Sequence, residues 1–323
     1  MLYICNTFDY ELFMGKNYNT EHKVLISPAE KLARMLVEEN VPSTFFADVC
    51  SAVRYRELGK KEFPEQFDGQ VKDMIQMGHD VQLHVHSNWI KATEVGANVV
   101  FDRDTFRLHN FAENGDYAPV KEIIHNGVKY LTDLLIPANK EYKCIAYRAG
   151  GYCIQPEYYT MKVFVLTRLY AAVMHNGDGM QYDFLAYRKP FNLYFNRNVQ
   201  LKEGCQTSIE GGLFEIPVGG YSTFPYRVIA SKKNQRISNA KATGYGMSLE
   251  HRKPIKNTLS SRIKHTLTAT NMLTFDFFHS NAMIYMLNRL CKEQKCDRNN
   301  LFVAIIFHPK LFSDAILKIC VAA

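Results

Sequence analysis

Leu2-Tyr3-Ile4-Cys5-Asn6-Thr7-Phe8-Asp9-Tyr10-Glu11 is an apolar run of strand length that ends in two acids one residue apart. A buried strand that carries Asp9 and Glu11 to its carboxyl end puts them where α/β enzymes keep their chemistry. For a lone Asp-x-Glu the plainer account is a strand followed by a solvated loop. The decision rests on whether other strand ends supply partners for the two acids.

The following sequence repeats one plan. Ser27-Pro28-Ala29-Glu30 reads as an N-cap, a helix-start proline and a capping-box glutamate. Leu32, Met35, Leu36 and Val37 follow at helical spacing, with Asn40 as the stop. Ser43-Thr44-Phe45-Phe46-Ala47 is a short buried strand, so strand, helix and strand form a right-handed βαβ unit. A helix is expected over 64–77, with Phe67, Val71, Met74 and Ile75 on one face and Gly78 after its end. The strand Asp80-Val81-Gln82-Leu83 runs straight into His84-Val85-His86-Ser87-Asn88-Trp89. Residues 92–116 read as an irregular excursion. A helix over 119–135 then leads to a strand at 143–147 and to Arg148-Ala149-Gly150-Gly151-Tyr152. A last helix over 281–294 precedes the strand 301–307, which ends at His308-Pro309. This alternation predicts an α/β fold, a β/α barrel with its active site on the top face. The whole of 1–323 reads as one domain, with a β-rich and basic insertion at about 170–275.

The totals bound the function classes. The chain has 323 residues, 47% hydrophobic and 22% charged, an ordinary globular composition with ample core. No run of about 18 apolar residues predicts a membrane span, and no secretory leader pattern is seen at the start. Eight scattered cysteines without a Cys-x-x-Cys pair suit buried thiols in a reducing compartment, hence a cytoplasmic expectation. The net charge of +7 is concentrated: residues 227–264 hold ten Lys/Arg against the single acid Glu250. Such a run is ordinarily a solvated basic loop. Its functional counterpart is a surface for an anionic membrane or a phosphate-linked or acidic glycan. No nucleic-acid motif accompanies it, so nucleic acid is not expected as a partner.

Four strand ends therefore offer Asp9/Glu11, His84/His86, Arg148 and His308. Singly each is weak, since a lone His is most often a satisfied structural residue. Together, carboxylate and imidazoles make a donor set for Zn²⁺ or a similar divalent ion that leaves positions open for water. A second carboxylate can serve as base, an Arg can hold it ionised, and another His can protonate a leaving group. The chemistry implied is metal-assisted hydrolysis. A glycosidase would need a second carboxylate across the site, where the other strand ends offer His and Arg instead.

In this order the blocks resemble the polysaccharide deacetylase family (the chitooligosaccharide deacetylase homology domain, carbohydrate esterase family four). The resemblance covers about residues 1–160 and 213–312. It implies a distorted β/α barrel of the glycoside hydrolase/deacetylase type that removes acetyl groups from acetylated carbohydrate with a divalent metal. Thr7-Phe8-Asp9-Tyr10-Glu11 resembles the first motif, which makes Asp9 the general base and Glu11 a metal ligand. Gly78-His79-Asp80-Val81-Gln82-Leu83-His84 resembles the second, with His84 as first histidine ligand. Arg148-Ala149-Gly150-Gly151-Tyr152 resembles the third: Arg148 orients Asp9, and the amide around Gly151 and Tyr152 meets the oxyanion. Phe307-His308-Pro309-Lys310 resembles the last, with His308 as general acid.

Two departures qualify the resemblance. The family's second ligand histidine sits four residues after the first, where this chain has Asn88, a poor ligand for zinc. His86 is close by as a substitute, but an i,i+2 placement points differently from i,i+4 on a helical turn. Weakened metal binding is therefore expected. The family's fourth motif centres on an aspartate, and residues 162–173 contain none. Read two nucleotides later, with suitable degenerate codons, that stretch becomes Ile-Cys-Ile-Asp-Ser-Ser-Val-Cys, so a local frame change restored near His175 is a further expectation. The leading functional expectation is a deacetylase of N-acetylated sugars in cell-surface polysaccharide metabolism. The alternatives are a catalytically weakened glycan-binding barrel and a metal-independent hydrolase of another C–N bond.

Overall fold

In a computed structural model of the chain, the described residues are 2–13, 20–96, 98–101, 105, 107–152 and 301–312. To these are added the strand pieces 171–174, 177–178, 181–182, 197–199, 213–217, 220–222 and 270–272, and the helical positions 284, 287–288 and 291–292. The strands are β1 (Leu2–Tyr10), β2 (Thr44–Asp48), β3 (Asp80–Val85), β4 (Thr93–Val95), β5 (Asn98–Val100), β6 (Ala146–Ala149) and β7 (Ala171–Met174). They continue with β8 (Gly177–Asp178), β9 (Gln181–Tyr182), β10 (Arg197–Val199), β11 (Leu213–Pro217), β12 (Gly220–Ser222), β13 (Thr270–Met272) and β14 (Leu301–Phe307). Four helices, α1 (Ser27–Glu38), α2 (Val49–Glu57), α3 (Glu62–Gln76) and α4 (Ala118–Leu135), lie between the early strands.

Eight strands form one sheet in the order β10-β11-β7-β6-β3-β2-β1-β14. Every pairing in it is parallel except β10 with β11. Parallel pairing with intervening helices makes the fold α/β, as expected. The sheet is curled: Cα atoms of β11 come within 8 Å of β14, near the other end of the strand order.

Alternation along each strand divides its side chains between two faces. Phe8, Phe45 and Phe307 are register partners on β1, β2 and β14. Their rings stack with centroids 4.9 and 5.0 Å apart, in the large core that includes the buried residues of α1, α3 and α4. Burying each such ring contributes about 1.5–3 kcal/mol. The opposite face holds a smaller apolar cluster, Phe46, Ala304 and Ile306. Thr7, Asp9, Asp48, His84 and Arg148 follow the parity of that second face.

Several boundaries differ from expectation. Ser27 is not an N-cap: a π-helical turn, His22–Ile26, runs directly into α1, so Ser27 is already helical and makes no side-chain cap. Glu30 pairs instead with Arg34 one turn on, at 3.0 Å. The stops hold. Asn40 and Gly78 both take positive φ, 55° and 88°, and His79 N–H donates to Met74 O across the end of α3. Helix α2 was not anticipated, because Val49-Cys50-Ser51-Ala52-Val53 has strand-like composition. Its helical sense shows only in the spacing of the buried Val49, Ala52 and Tyr55. The excursion 92–116 contains the β4–β5 pair and a 3₁₀ turn, Leu108–Phe111. The expected strand at 143–147 lies later, at Ala146–Ala149, which places Arg148 inside it. The expected helix over 281–294 is described only at Ile284, Leu287, Asn288, Cys291 and Lys292, all helical. No helix among the described residues is long and apolar enough to cross a membrane. The basic run 227–264 lies outside the described residues.

Candidate metal centre and active site

The carboxyl ends of β1, β2, β3, β6 and β14 bring one set of polar side chains together. Asp9, Glu11, Asp48, His84, His86 and Arg148 are all buried there. Parity explains the set: Thr7, Asp9 and Glu11 are alternate residues along β1 and just past it, as His84 and His86 are on β3.

Glu11 is the hub. Its Oε2 lies 3.0 Å from His84 Nε2 and is in close contact with His86 Nε2. Its Oε1 accepts from Lys310 Nζ at 2.5 Å, and Lys310 also donates to Leu12 O at 3.3 Å. Burial would raise the Glu11 pKa, but His86, Lys310 and the bonds from both imidazoles outweigh it and hold the carboxyl well below its usual range. His84 Nδ1 donates to the Arg148 main-chain carbonyl at 2.9 Å. A carbonyl only accepts, so Nδ1 carries a proton, and when the ring is neutral its Nε2 lone pair faces Glu11 Oε2. Two acceptors at 3.0 Å need a cation between them, either a proton or a metal. Burial lowers the His84 pKa, but Asp9, the Glu11 bond and charge, and Asp48 push it up to about 9.

Asp9 stands apart from these three. Its Oδ1 is in close contact with Arg148 Nη1, and Arg148 Nη2 donates to Thr7 Oγ1 at 2.5 Å. Thr7 in turn donates to Ile305 O at 2.7 Å, which ties the pair to β14. The guanidinium lies over the Phe46 ring, 4.5 Å from its centroid. Arg148 is 1% exposed. His308 Nε2 is 3.5 Å from Asp9 Oδ2 and 3.6 Å from Glu11 Oε1.

Asn88, the expected third donor, is buried in the turn Ser87–Trp89, and its amide makes no side-chain hydrogen bond. His86 makes the contact with Glu11 instead. The argument from i,i+2 spacing applies to a helical turn, whereas 84–86 is extended and alternate residues share a face. His86 rather than Asn88 therefore stands with Glu11 and His84. His79, inside the same sequence block, is not at the site; its Nε2 bonds Ala33 O at 3.0 Å. Gly151 takes φ 58° and ψ 19°, a conformation that favours glycine, in the turn Gly150–Tyr152 after β6. Most of 162–173 lies outside the described residues; the described part, β7, contains no acid. Asp48, Lys310 and Thr7 were not singled out from sequence. Asp48 closes β2 and Lys310 follows His308 by two, so the strand-end rule that located the others would have found both.

Glu11, His84 and His86 offer ligand atoms within 4.8 Å of one another, as do Asp9, Glu11 and His308. One carboxylate and two imidazoles fit a divalent ion of the zinc class, and the His84 Nδ1 bond to a carbonyl is the kind of support that fixes a ligand ring. Asp9, found only in the second group, already has the Arg148 cation on it, and the Glu11 oxygen nearest His308, Oε1, is the one Lys310 contacts, whereas Oε2 faces the two imidazoles. The first group therefore suits a metal better.

The chain matches no protein-family model and no curated protein. Among solved structures it is similar to one from Mycobacterium smegmatis assigned to the polysaccharide deacetylases, with 13% identity, a TM-score of 0.48, and 99% of this chain and 83% of that one covered. A mutant CE4-family pseudoenzyme with restored enzymatic activity shows 10% identity and a TM-score of 0.30, over 54% of this chain and 44% of its own. A 4-alpha-glucanotransferase from Thermococcus litoralis shows 10% identity and a TM-score of 0.41, over 73% of this chain and 30% of its own.

Proposed function

We propose that this chain is a metal-dependent hydrolase that removes acetyl groups from N-acetylated sugars, in polysaccharide or in lipid- or nucleotide-linked glycan. One observation carries the reading: Glu11 Oε2 meets both His84 and His86 beside a separate carboxylate, Asp9, held by Arg148. Glu11, His84 and His86 would hold the ion. When bound, a divalent metal such as zinc polarises the acetyl carbonyl and makes water a better nucleophile.

The other roles belong to the chain. Asp9 accepts a proton from the attacking water, and the Arg148 guanidinium holds Asp9 in place for that task. A C–O bond forms as the amide C–N bond breaks, giving acetate and the sugar amine. His308 delivers the proton the amine needs. It stands beside Asp9 at 3.5 Å. The main-chain amide near Gly151 and Tyr152 is assigned to the developing oxyanion. The ten-cation run 227–264 is assigned to a phosphate-bearing or acidic glycan, or to the anionic membrane surface presenting one. A cytoplasmic setting accords with the scattered thiols.

A second reading, a barrel that binds glycans without turnover, is favoured by the acid-free β7 next to β6. Acetate release from a chitooligosaccharide and a nucleotide-linked N-acetyl sugar separates the two. Wild type with added zinc is expected to release acetate, and Asp9→Asn to lose roughly 10²–10⁴-fold. Binding without release by the wild type overturns the hydrolase, and release that survives chelation favours a metal-independent hydrolase.

A further inference from the structure

His86 is the ligand candidate with the least support from the sheet. Strand β3 ends at Val85, and the last rung between β2 and β3 pairs Asp48 with His84. Val85 still pairs with Ala149 on β6, and His86 lies beyond the last rung on either side. The Asp48 side chain supplies the missing rung: its Oδ1 accepts the His86 main-chain N–H at 3.1 Å. On the other side stands Gly150, where a Cβ would sit 2.9 Å from both Cα and Cγ of His86. His86 is confined between the two.

The second oxygen of Asp48 is the unexplained part. Asp48 is 0% exposed, and its Oδ2 has no hydrogen-bond partner. An unpartnered carboxylate oxygen in the interior is costly. Burial pushes the Asp48 carboxyl up, and the His84 and His86 imidazoles and the His86 N–H bond oppose that shift.

We infer that Asp48 is a positioning residue of the metal centre: its Oδ1 sets the main chain of His86 so that both imidazoles reach Glu11. This rests on the metal-binding reading above. Asp48 touches neither substrate nor metal in this role; it acts through His86.

The test compares wild type, Asp48→Asn and Asp48→Ala. Asn keeps an oxygen acceptor and loses the charge, whereas Ala loses both. Zinc affinity, measured by competition with a chromophoric chelator, is expected to stay close to wild type in Asp48→Asn and to fall roughly 10- to 100-fold in Asp48→Ala. A purely structural Asp48 gives instead a lower melting temperature in metal-free Asp48→Ala with unchanged zinc affinity. Amide hydrogen exchange at His86 in metal-free protein is expected to be slow in wild type and Asp48→Asn and fast in Asp48→Ala. Equal zinc affinities in wild type and both variants, or equal exchange in all three, overturn the inference. If wild type takes up no zinc yet the exchange pattern appears, the metal-binding reading fails and the main-chain tether stands.

Discussion

At Gly150 the chain leaves β6 so close to β3 that hydrogen is the only side chain with room. A Cβ there would overlap the Val85 carbonyl oxygen as well as crowd His86. Neither obstacle is the far end of a flexible side chain, so Gly150→Ala must push the end of β3 aside. The expected outcome is folded protein, with helix content by circular dichroism near wild type, and zinc affinity down at least roughly 10-fold, the scale for disturbed ligand support. Wild-type affinity in a zinc titration would show that His86 is not needed at Glu11. The candidate residues Asp9, Glu11, His84, Arg148 and His308 are legible from strand ends alone. The partition among them is not. That Glu11 Oε2 faces the imidazoles and Oε1 faces Lys310 depends on side chains separated by about 300 positions in the chain.

At the scale of elements, β1 is fixed to the helical layer by polar as well as apolar contacts. Tyr10 is fully buried, and its hydroxyl donates to Gln70 Oε1 on α3 at 2.6 Å. Gln70 Nε2 donates in turn to Ile26 O, at the end of the π-turn, at 2.8 Å. Tyr10→Phe leaves Gln70 Oε1 buried without that donor, so a loss of about 1–3 kcal/mol is expected in urea unfolding. Because Tyr10 lies between Asp9 and Glu11, the change also tests whether the acids depend on the strand's outer packing. The βα alternation and the stops at Asn40 and Gly78 were readable, since backbone sterics act locally. Helix α2 was hidden because its buried face is made of residues with strand propensity, and tertiary packing decides such cases. The start of α1 was misread because a cap signature says nothing of a preceding π-turn that satisfies the same amides.

Across the whole molecule, three described thiols share one electrostatic fate. Burial pushes up the thiols of Cys5, Cys50 and Cys144, with Arg148 partly opposing at Cys5 and Asp48 adding at Cys50; Cys144 reaches about 12. An unfolded thiol ionises near 8.5. Between these values the unfolded chain binds fewer protons than the folded one, so stability is whole below about pH 8.5 and declines as pH rises, by up to about 1.4 kcal/mol per unit for each of the buried Cys50 and Cys144 and by less for the part-exposed Cys5. Denaturant midpoints should therefore fall steadily from pH 8.5 to 10. A flat profile, or iodoacetamide labelling of native Cys50 as fast as exposed Cys291, would contradict it.

The sequence alone determined the class of architecture and most of the candidate positions at the strand ends, because hydrophobic periodicity and strand-end chemistry are local properties that each short stretch carries. Only the tertiary structure decided which residue joins His84 at Glu11. The choice between Asn88 and His86 turns on whether the chain after His84 is helical or extended. That is settled by where β2 stops pairing, by the Asp48 carboxylate that takes over at His86, and by the clearance that Gly150 leaves beside it. These contacts join residues 38 and 64 positions apart, and such distances are set by packing.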